Sequence, residues 1–218
     1  MSFKSIFLSA LFLLSIHLAQ AQRYSQGYNY LGITGGVVLF DLNTSDLSTK
    51  SETGFMFGFT TRGAFYNDFD LIYGISFVSS RLSVEGKSPS GKVEEIGYTI
   101  QGAQLNFLGS YNVVVNHLSF EFGPILDIHG KMKLDKNEFE NHIISGHESI
   151  TAKSIQDISM FDIRLAGGAT VGMKHFRLSA QYHYGFLNVL NGLNDKDLGK
   201  DNFKGNTSTI VVAATVYF

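Results

Sequence analysis

The sequence predicts an all-β fold, an eight-stranded antiparallel up-and-down transmembrane β-barrel with short periplasmic turns and longer extracellular loops. Three observations carry that prediction. Apolar residues recur at every second position in eight separate segments, the period that lines one face of a strand. The links between the segments alternate short and long, so the two ends of the sheet differ, as they do in outer-membrane barrels. Charged residues inside the segments fall on the face opposite the apolar series.

Upstream of the segments, Lys4 precedes an apolar run over residues 6–14 that fades into Ala19-Gln20-Ala21, the small-x-small pattern of a secretory cleavage site. Residues 1–21 are therefore read as a cleaved signal peptide and residues 22–218 as one barrel domain exported to the outer membrane. The apolar run is shorter than the ~20 residues of a helical span, which argues against an anchor. The chain has no Cys, so it offers no disulfide, thiolate metal site, thiol nucleophile or lipidation point. A net charge of -2 gives no electrostatic footprint for nucleic acid. Gly 23, Phe 19 and Tyr 10 stand against Pro 2 and Trp 0, with 17% charged residues, where an ordinary soluble domain carries about 25%. This composition suits a lipid-exposed surface, while no later apolar run is long enough for a membrane helix.

In chain order the segments are residues 28–40, 53–65, 69–82, 98–111, 118–128, 155–171, 176–184 and 207–218. In the second, Phe55, Phe57, Phe59 and Phe65 share a face, opposite Thr60 and Arg62. In the fifth, Leu118, Phe120, Phe122, Leu126 and Ile128 oppose Ser119, Glu121 and Asp127. The seventh sets Phe176, Leu178, Ala180 and Tyr182 against Arg177, Ser179, Gln181 and His183. In the eighth, Ile210, Val212, Ala214, Val216 and Phe218 face lipid, and Thr209, Thr215 and Tyr217 face inward. That strand must pair with the first to leave no open edge in the membrane. The short links are residues 66–68, 112–117 and 174–175; the long ones are 41–52, 83–97, 129–154 and 185–206, expected to be solvated. Tyr28, Tyr66, Tyr98, Tyr111, Tyr184 and Tyr217 lie near strand ends and fit interfacial girdles.

A Lys or Arg turned into lipid near the midplane costs about 2–4 kcal/mol, so charge placement tests the assignment independently. Arg62, Asp70, Glu121, Asp127, Asp162, Arg164 and Arg177 all fall on the inner face, and with Gln181 and His183 they form a predicted polar plug. Arg62 and Asp70 flank the first short turn and are expected to pair across it. Arg81 is the exception by parity and is expected to snorkel to the headgroups. A soluble lipocalin-type barrel would bury its apolar face and carry Lys and Glu outside; the second face here is mainly Gly, Ser, Thr, Gln and Asn.

With the opening strand N-Y-L-G-I-T-G-G-V (residues 29–37), the run Y-G-F-L-N-V-L-N (residues 184–191) and the closing V-Y-F, the chain resembles the PorT-like outer-membrane β-barrel proteins of Bacteroidetes-type bacteria. The resemblance implies the barrel and its address, one branch of that family being an accessory of protein secretion and gliding. It also implies that Tyr217 and Phe218 act as the terminal signal read by the outer-membrane assembly machinery.

An eight-stranded barrel is just filled by side chains, so the sequence predicts a structural or loop-mediated role in envelope integrity, adhesion or secretion. A narrow channel for small solutes is the alternative, and a small lipid-modifying enzyme using Asp127, His129 and His183 is third. The expected partners are outer-membrane lipid, the assembly machinery and an envelope or secretion-system protein, without nucleic acid. His142, His147 and Glu148 match no metal-ligand spacing, and residues 194–202 lack the EF-hand pattern. The residues imply no cofactor, and the glycines of L-G-I-T-G-G and A-G-G-A-T-V-G lie in strands, where they permit close packing rather than cradle phosphate.

Overall fold

The computed structural model describes residues 27–196, 198–199 and 202–218; the expected signal peptide lies outside them. In chain order the elements are β1 (Asn29–Asn43), β2 (Thr49–Tyr66), β3 (Phe69–Lys87), β4 (Val93–Val114), β5 (Leu118–His129), the two-residue β6 (Lys133–Leu134) and β7 (Ile143–Ile144), β8 (Phe161–Gly172), β9 (Phe176–Gly185), the single-turn α1 (Asn191–Asn194) and β10 (Asn206–Tyr217). Eight long strands close a ring in the order β1-β2-β3-β4-β5-β8-β9-β10, every neighbouring pair antiparallel. Closure runs from Gly32 opposite Tyr217 to Asn43 opposite Asn206. The turns at one end are tight, and Asn67 and Asn116 take φ of 50° and 64° there, a left-handed conformation Asn tolerates. The β4–β5 ladder pairs Asn106 with Ile125 and resumes at Gly109 with Phe122. Pro124, which has no N–H to give, lies in that interval.

The apolar series faces outward through the membrane belt: Phe57, Phe120 and Leu178 are 56%, 57% and 46% exposed. Arg62, Asp70, Glu121, Asp127, Asp162, Arg164, Arg177 and His183 are buried inside. In the last strand Ile210, Val212 and Val216 point out, and Thr209, Thr215 and Tyr217 point in.

Expectations for strand length, for the start of β8 and for the aromatics are corrected, and that for Arg81 changes with the first. The first concerns strand length, because the links over residues 41–52 and 83–97 are not long loops. β3 and β4 run 19 and 22 residues, about twice the 9–11 that cross a bilayer, and the intervening link is residues 88–92 alone. Above the membrane belt the polarity of the wall inverts. Leu82, Val84, Ile96, Tyr98 and Ile100 are buried inside, while Arg81 and Glu85 face out. A search for one apolar face stops where that face changes sides.

The inversion also accounts for Arg81. Its strand continues to Lys87, and its guanidinium meets Asp135 at 2.7 Å and Glu52 at 3.7 Å in the projecting wall. It pairs with carboxylates there rather than reaching for headgroups.

The second correction is that β8 starts at Phe161 rather than residue 155; Ile155 sits in a 3-10 turn, Ser154–Gln156, and is fully buried. The third concerns the aromatics. Tyr66, Tyr111 and Tyr184 are outward, but Tyr98 and Tyr217 are buried and the Tyr28 hydroxyl donates to Asp70 inside the lumen.

Candidate functional site: the filled lumen and its outer cap

Two charged layers cross the lumen, each an arginine between two acids. In the lower layer β2 supplies Arg62, whose Nε lies 2.7 Å from Asp70 Oδ2 and whose Nη1 lies 3.2 Å from Glu121 Oε1. Asp70 sits one step diagonal to Arg62 across the tight turn, since Ala64 pairs Asp70 and Arg62 pairs Ile72. Arg62 Nη2 donates to Ser110, Asn112 and Ser119. Tyr28 donates to Asp70 at 2.8 Å, and Gln181 Nε2 donates to Glu121 Oε2 at 2.7 Å. His183 Nε2 and Gln181 Oε1 are 3.0 Å apart, and because the Gln181 amide nitrogen is turned to Glu121, its oxygen accepts from the ring nitrogen.

The upper layer centres on Arg164 of β8. Its Nη2 meets Asp127 at 2.7 Å and its Nε meets Asp162 at 3.0 Å. Gln104 donates to Asp127 at 2.9 Å and Thr207 donates to Asp162 at 2.5 Å. The Arg164 guanidinium also lies over the Phe40 ring, 5.8 Å from its centroid. Each layer thus carries one cation against two carboxylates; in the lower layer Tyr28 and Gln181 take up the carboxylate oxygens that Arg62 leaves, whereas in the upper layer Gln104 and Thr207 donate to the same Oδ2 atoms that Arg164 meets, and Asp162 Oδ1 is buried without a hydrogen-bonding protein partner. Buried charges persist only when they are supplied with partners in this way.

The third lumenal arginine, Arg177, breaks the pattern. It is buried, yet its Nε and Nη1 have no hydrogen-bonding protein partner. All nine predicted plug residues therefore project inward, but they do not form one network. At the periplasmic mouth Tyr28 stacks on Tyr30 at 4.8 Å, and Tyr30 packs edge-on to His175 at 5.7 Å and against Tyr217 at 6.5 Å. Phe218, the other residue of the expected terminal signal, is exposed on the outer surface.

Above Arg164 the lumen turns apolar and the outer loops fold into it, which the sequence reading missed. Residues 129–154 and 185–206 were expected to be solvated. Instead Met132, Ile144 and Ile150 from the first, and Val189, Leu190, Leu193 and Phe203 from the second, form one core with Ile155 and Ile158 of the stretch before β8 and with Phe40, Leu42, Leu82, Val84, Ile96 and Tyr98 of the walls. Strand-to-loop hydrogen bonds hold this cap: Tyr98 donates to Ala152 O at 2.9 Å, Asp135 N to Gly97 O at 3.0 Å, and Ser145 N to Glu85 O at 2.9 Å. Asn188 and Asn194 both donate to Phe203 O, at 2.8 and 3.1 Å. Asp157 binds Lys131 and Lys196, whose ammonium groups hold its carboxyl below the usual carboxylate range. Lys92 likewise lowers Glu94, which also faces His142 at 3.4 Å. The signal for the cap was available in part, as apolar residues in the loops: Ile143, Ile144, Ile150, Ile155, Leu190, Leu193 and Phe203.

The other candidates separate. His142 turns to Glu94 and His147 Nε2 to Asp46 O at 2.9 Å, so the two histidines have different partners. The 194–202 loop includes residues 197, 200 and 201, which lie outside the described residues. Asp127 and His129 line a cavity of about 20 Å3 beneath the cap, whereas His183 lines a different one of about 70 Å3 lower in the lumen.

Comparison with known proteins adds a family. A family model described as an outer membrane protein beta-barrel domain matches residues 18–191. Neisserial surface protein A is similar in structure, with 12% identity, 89% of this chain and 100% of that one covered, and a TM-score of 0.46. The attachment invasion locus protein Ail of Yersinia pestis, in complex with the heparin analogue sucrose octasulfate, gives 15% identity, coverage of 87% and 99%, and a TM-score of 0.46. The outer membrane protein OprG of Pseudomonas aeruginosa gives 12%, 88% and 97%, and 0.45. No curated protein matches the sequence.

Proposed function

The chain belongs to the outer membrane protein beta-barrel domain family, and on that premise we propose that it is a non-conducting scaffold in the outer membrane that displays a folded extracellular head to an envelope or surface partner. One observation carries the reading: the wall changes from polar-inside to apolar-inside above the membrane belt, and the loops pack into the apolar half. A chain that only needed to connect strands would not bury Ile144, Ile155, Leu193 and Phe203 there. Burying such side chains is worth about 1.5–3 kcal/mol each, so the loops are held in one shape, and a fixed shape binds with less ordering cost than a mobile tip.

The PorT-like resemblance of residues 29–37 and 184–191 supports a secretion or gliding apparatus of a Bacteroidetes-type envelope as the class of partner, with Tyr217 and Phe218 serving assembly. Purified protein in planar bilayers is expected to give no stable unitary current, because two ion-paired layers and the cap lie in series. Photo-crosslinkers placed at Lys136, Glu138 and Glu148 on the head should capture an envelope protein in living cells, and one at Asn67 on the opposite end should not. Steady large currents, or equal capture from both ends, would overturn the proposal.

A further inference from the structure

We propose that the lower lumen holds a buried site for a small monovalent anion of the chloride class, coordinated by Arg177 of β9 and Thr170 of β8. The inference does not depend on the role of the head, since the site lies below both the cap and Arg164.

Charge pairing sets Arg177 apart from the other lumenal arginines. Arg62 has Asp70 and Glu121, and Arg164 has Asp127 and Asp162, but among the described residues no carboxylate lies within ion-pair distance of Arg177. The four lumenal acids are all committed to the other two arginines. Arg177 is 3% exposed, and a guanidinium so placed requires a counter-charge or hydrogen-bond acceptors.

The lumen beside Arg177 offers both space and polar lining. Arg177 lines a cavity of about 70 Å3 together with Thr170, Ser179, Thr215 and Tyr217. Holding one water takes ≳10–15 Å3, so the cavity accepts a halide with an accompanying water. Arg177 Nε and Nη1 and the Thr170 hydroxyl are buried without protein partners, and all three can donate. Register pairs Thr170 with Ser179 and Gly172 with Arg177, so Thr170 and Arg177 stand diagonal to one another across β8 and β9. Glu121 also lines it, with its oxygens already bound to Arg62 and Gln181. The neighbouring Thr215 hydroxyl is turned to Thr34 at 3.1 Å. Register places Arg177 between Gly172 of β8 and Thr215 of β10, so neither flanking position brings a carboxylate.

The site is tested with bromide as an anomalous scatterer. Crystals of the wild-type barrel soaked in sodium bromide should show an anomalous peak within hydrogen-bonding distance of Arg177 Nε or Nη1. Its absence, with only water density there, would overturn the proposal. In detergent, the wild-type unfolding midpoint should be higher in sodium chloride than in sodium gluconate of equal ionic strength, and Arg177→Met should lose that difference. A difference retained in full by Arg177→Met would equally refute the site. Should that variant not fold, Thr170→Val keeps the cavity wall and is expected to weaken halide affinity several-fold; unchanged affinity would refute the assignment of Thr170 as a ligand.

Discussion

Replacing Arg62 by Met tests the charged layers most directly. The change leaves Asp70 and Glu121, 2% and 5% exposed, without their cation. Asp70 keeps the Tyr28 hydroxyl and Glu121 keeps Gln181, so each carboxylate retains one hydrogen bond but no charge partner. Breaking a buried ion pair by removing one member costs about 3–5 kcal/mol. Ser110, Asn112 and Ser119 also lose their donor, at roughly 0.5–1.5 kcal/mol for each bond that water does not replace. With about one of those bonds left unreplaced, the expected loss is about 4–6 kcal/mol. Urea unfolding in lipid vesicles, scored by the mobility difference between folded and unfolded barrel on unheated gels, measures it. Adding Asp70→Asn and Glu121→Gln to Arg62→Met removes the stranded charges and should recover at least half of the loss. If Arg62→Met costs less than about 1 kcal/mol, or if the two neutralising changes recover nothing, the lower layer is not held by charge compensation, and the reasoning from burial to energy fails.

Four further outcomes are expected. Phe57→Lys turns a charge into lipid and should cost about 2–4 kcal/mol in the same assay, whereas Glu85→Lys on the projecting wall should cost almost nothing. Gly185→Ala places a Cβ 2.5 Å from Asp162 Oδ2 and nearer still to Thr207 Oγ1; such overpacking costs about 1–3 kcal/mol and should appear as a lowered folded yield. Ile155→Ala removes a fully buried side chain of the cap and should cost about 2–5 kcal/mol, read as faster proteolysis of residues 130–160 while the membrane portion stays intact. The Asp157 pairs add a pH dependence to the cap. A carboxyl with a lowered folded pKa contributes stability above its unfolded pKa and loses it as pH falls through the folded value, so amide protection of the loop should hold at neutral pH and decline only in strong acid. Asp157→Asn should reproduce that decline at pH 7, by less than about 1 kcal/mol because the carboxylate is partly exposed and its charges are screened by water.

The membrane belt was legible because lipid imposes one rule on every strand, apolar outward, and period-two patterning reports it without knowledge of register. The Arg62–Asp70 pair was legible for a related reason: a tight turn holds register to within a step, so Arg62 and Asp70 reach diagonal positions on the inner face. Asp162 lies two residues from Arg164 and shares its face in any strand. Asp127, the other partner of Arg164, depends on how β5 meets β8, where Asp127 lies opposite Asp162, and no local pattern in either strand encodes that.

Arg177 looked in sequence like its two neighbours in kind, and its isolation emerges only when all four acids have been assigned to other cations. The cap was hidden for a different reason. Above the belt the solvent on the outer side of the wall changes from lipid to water, so the favoured pattern inverts, and Arg81 breaks parity because it stands beyond the point of inversion. Apolar residues facing inward need something to bury them, and a ring of strands wide enough to leave a mouth cannot do this alone. The loop residues Ile144, Ile150, Ile155, Leu193 and Phe203 meet that need. Wall and loops therefore specify one another: long strands with an apolar interior require filled loops, and loops rich in isoleucine and leucine require a wall that extends past the membrane.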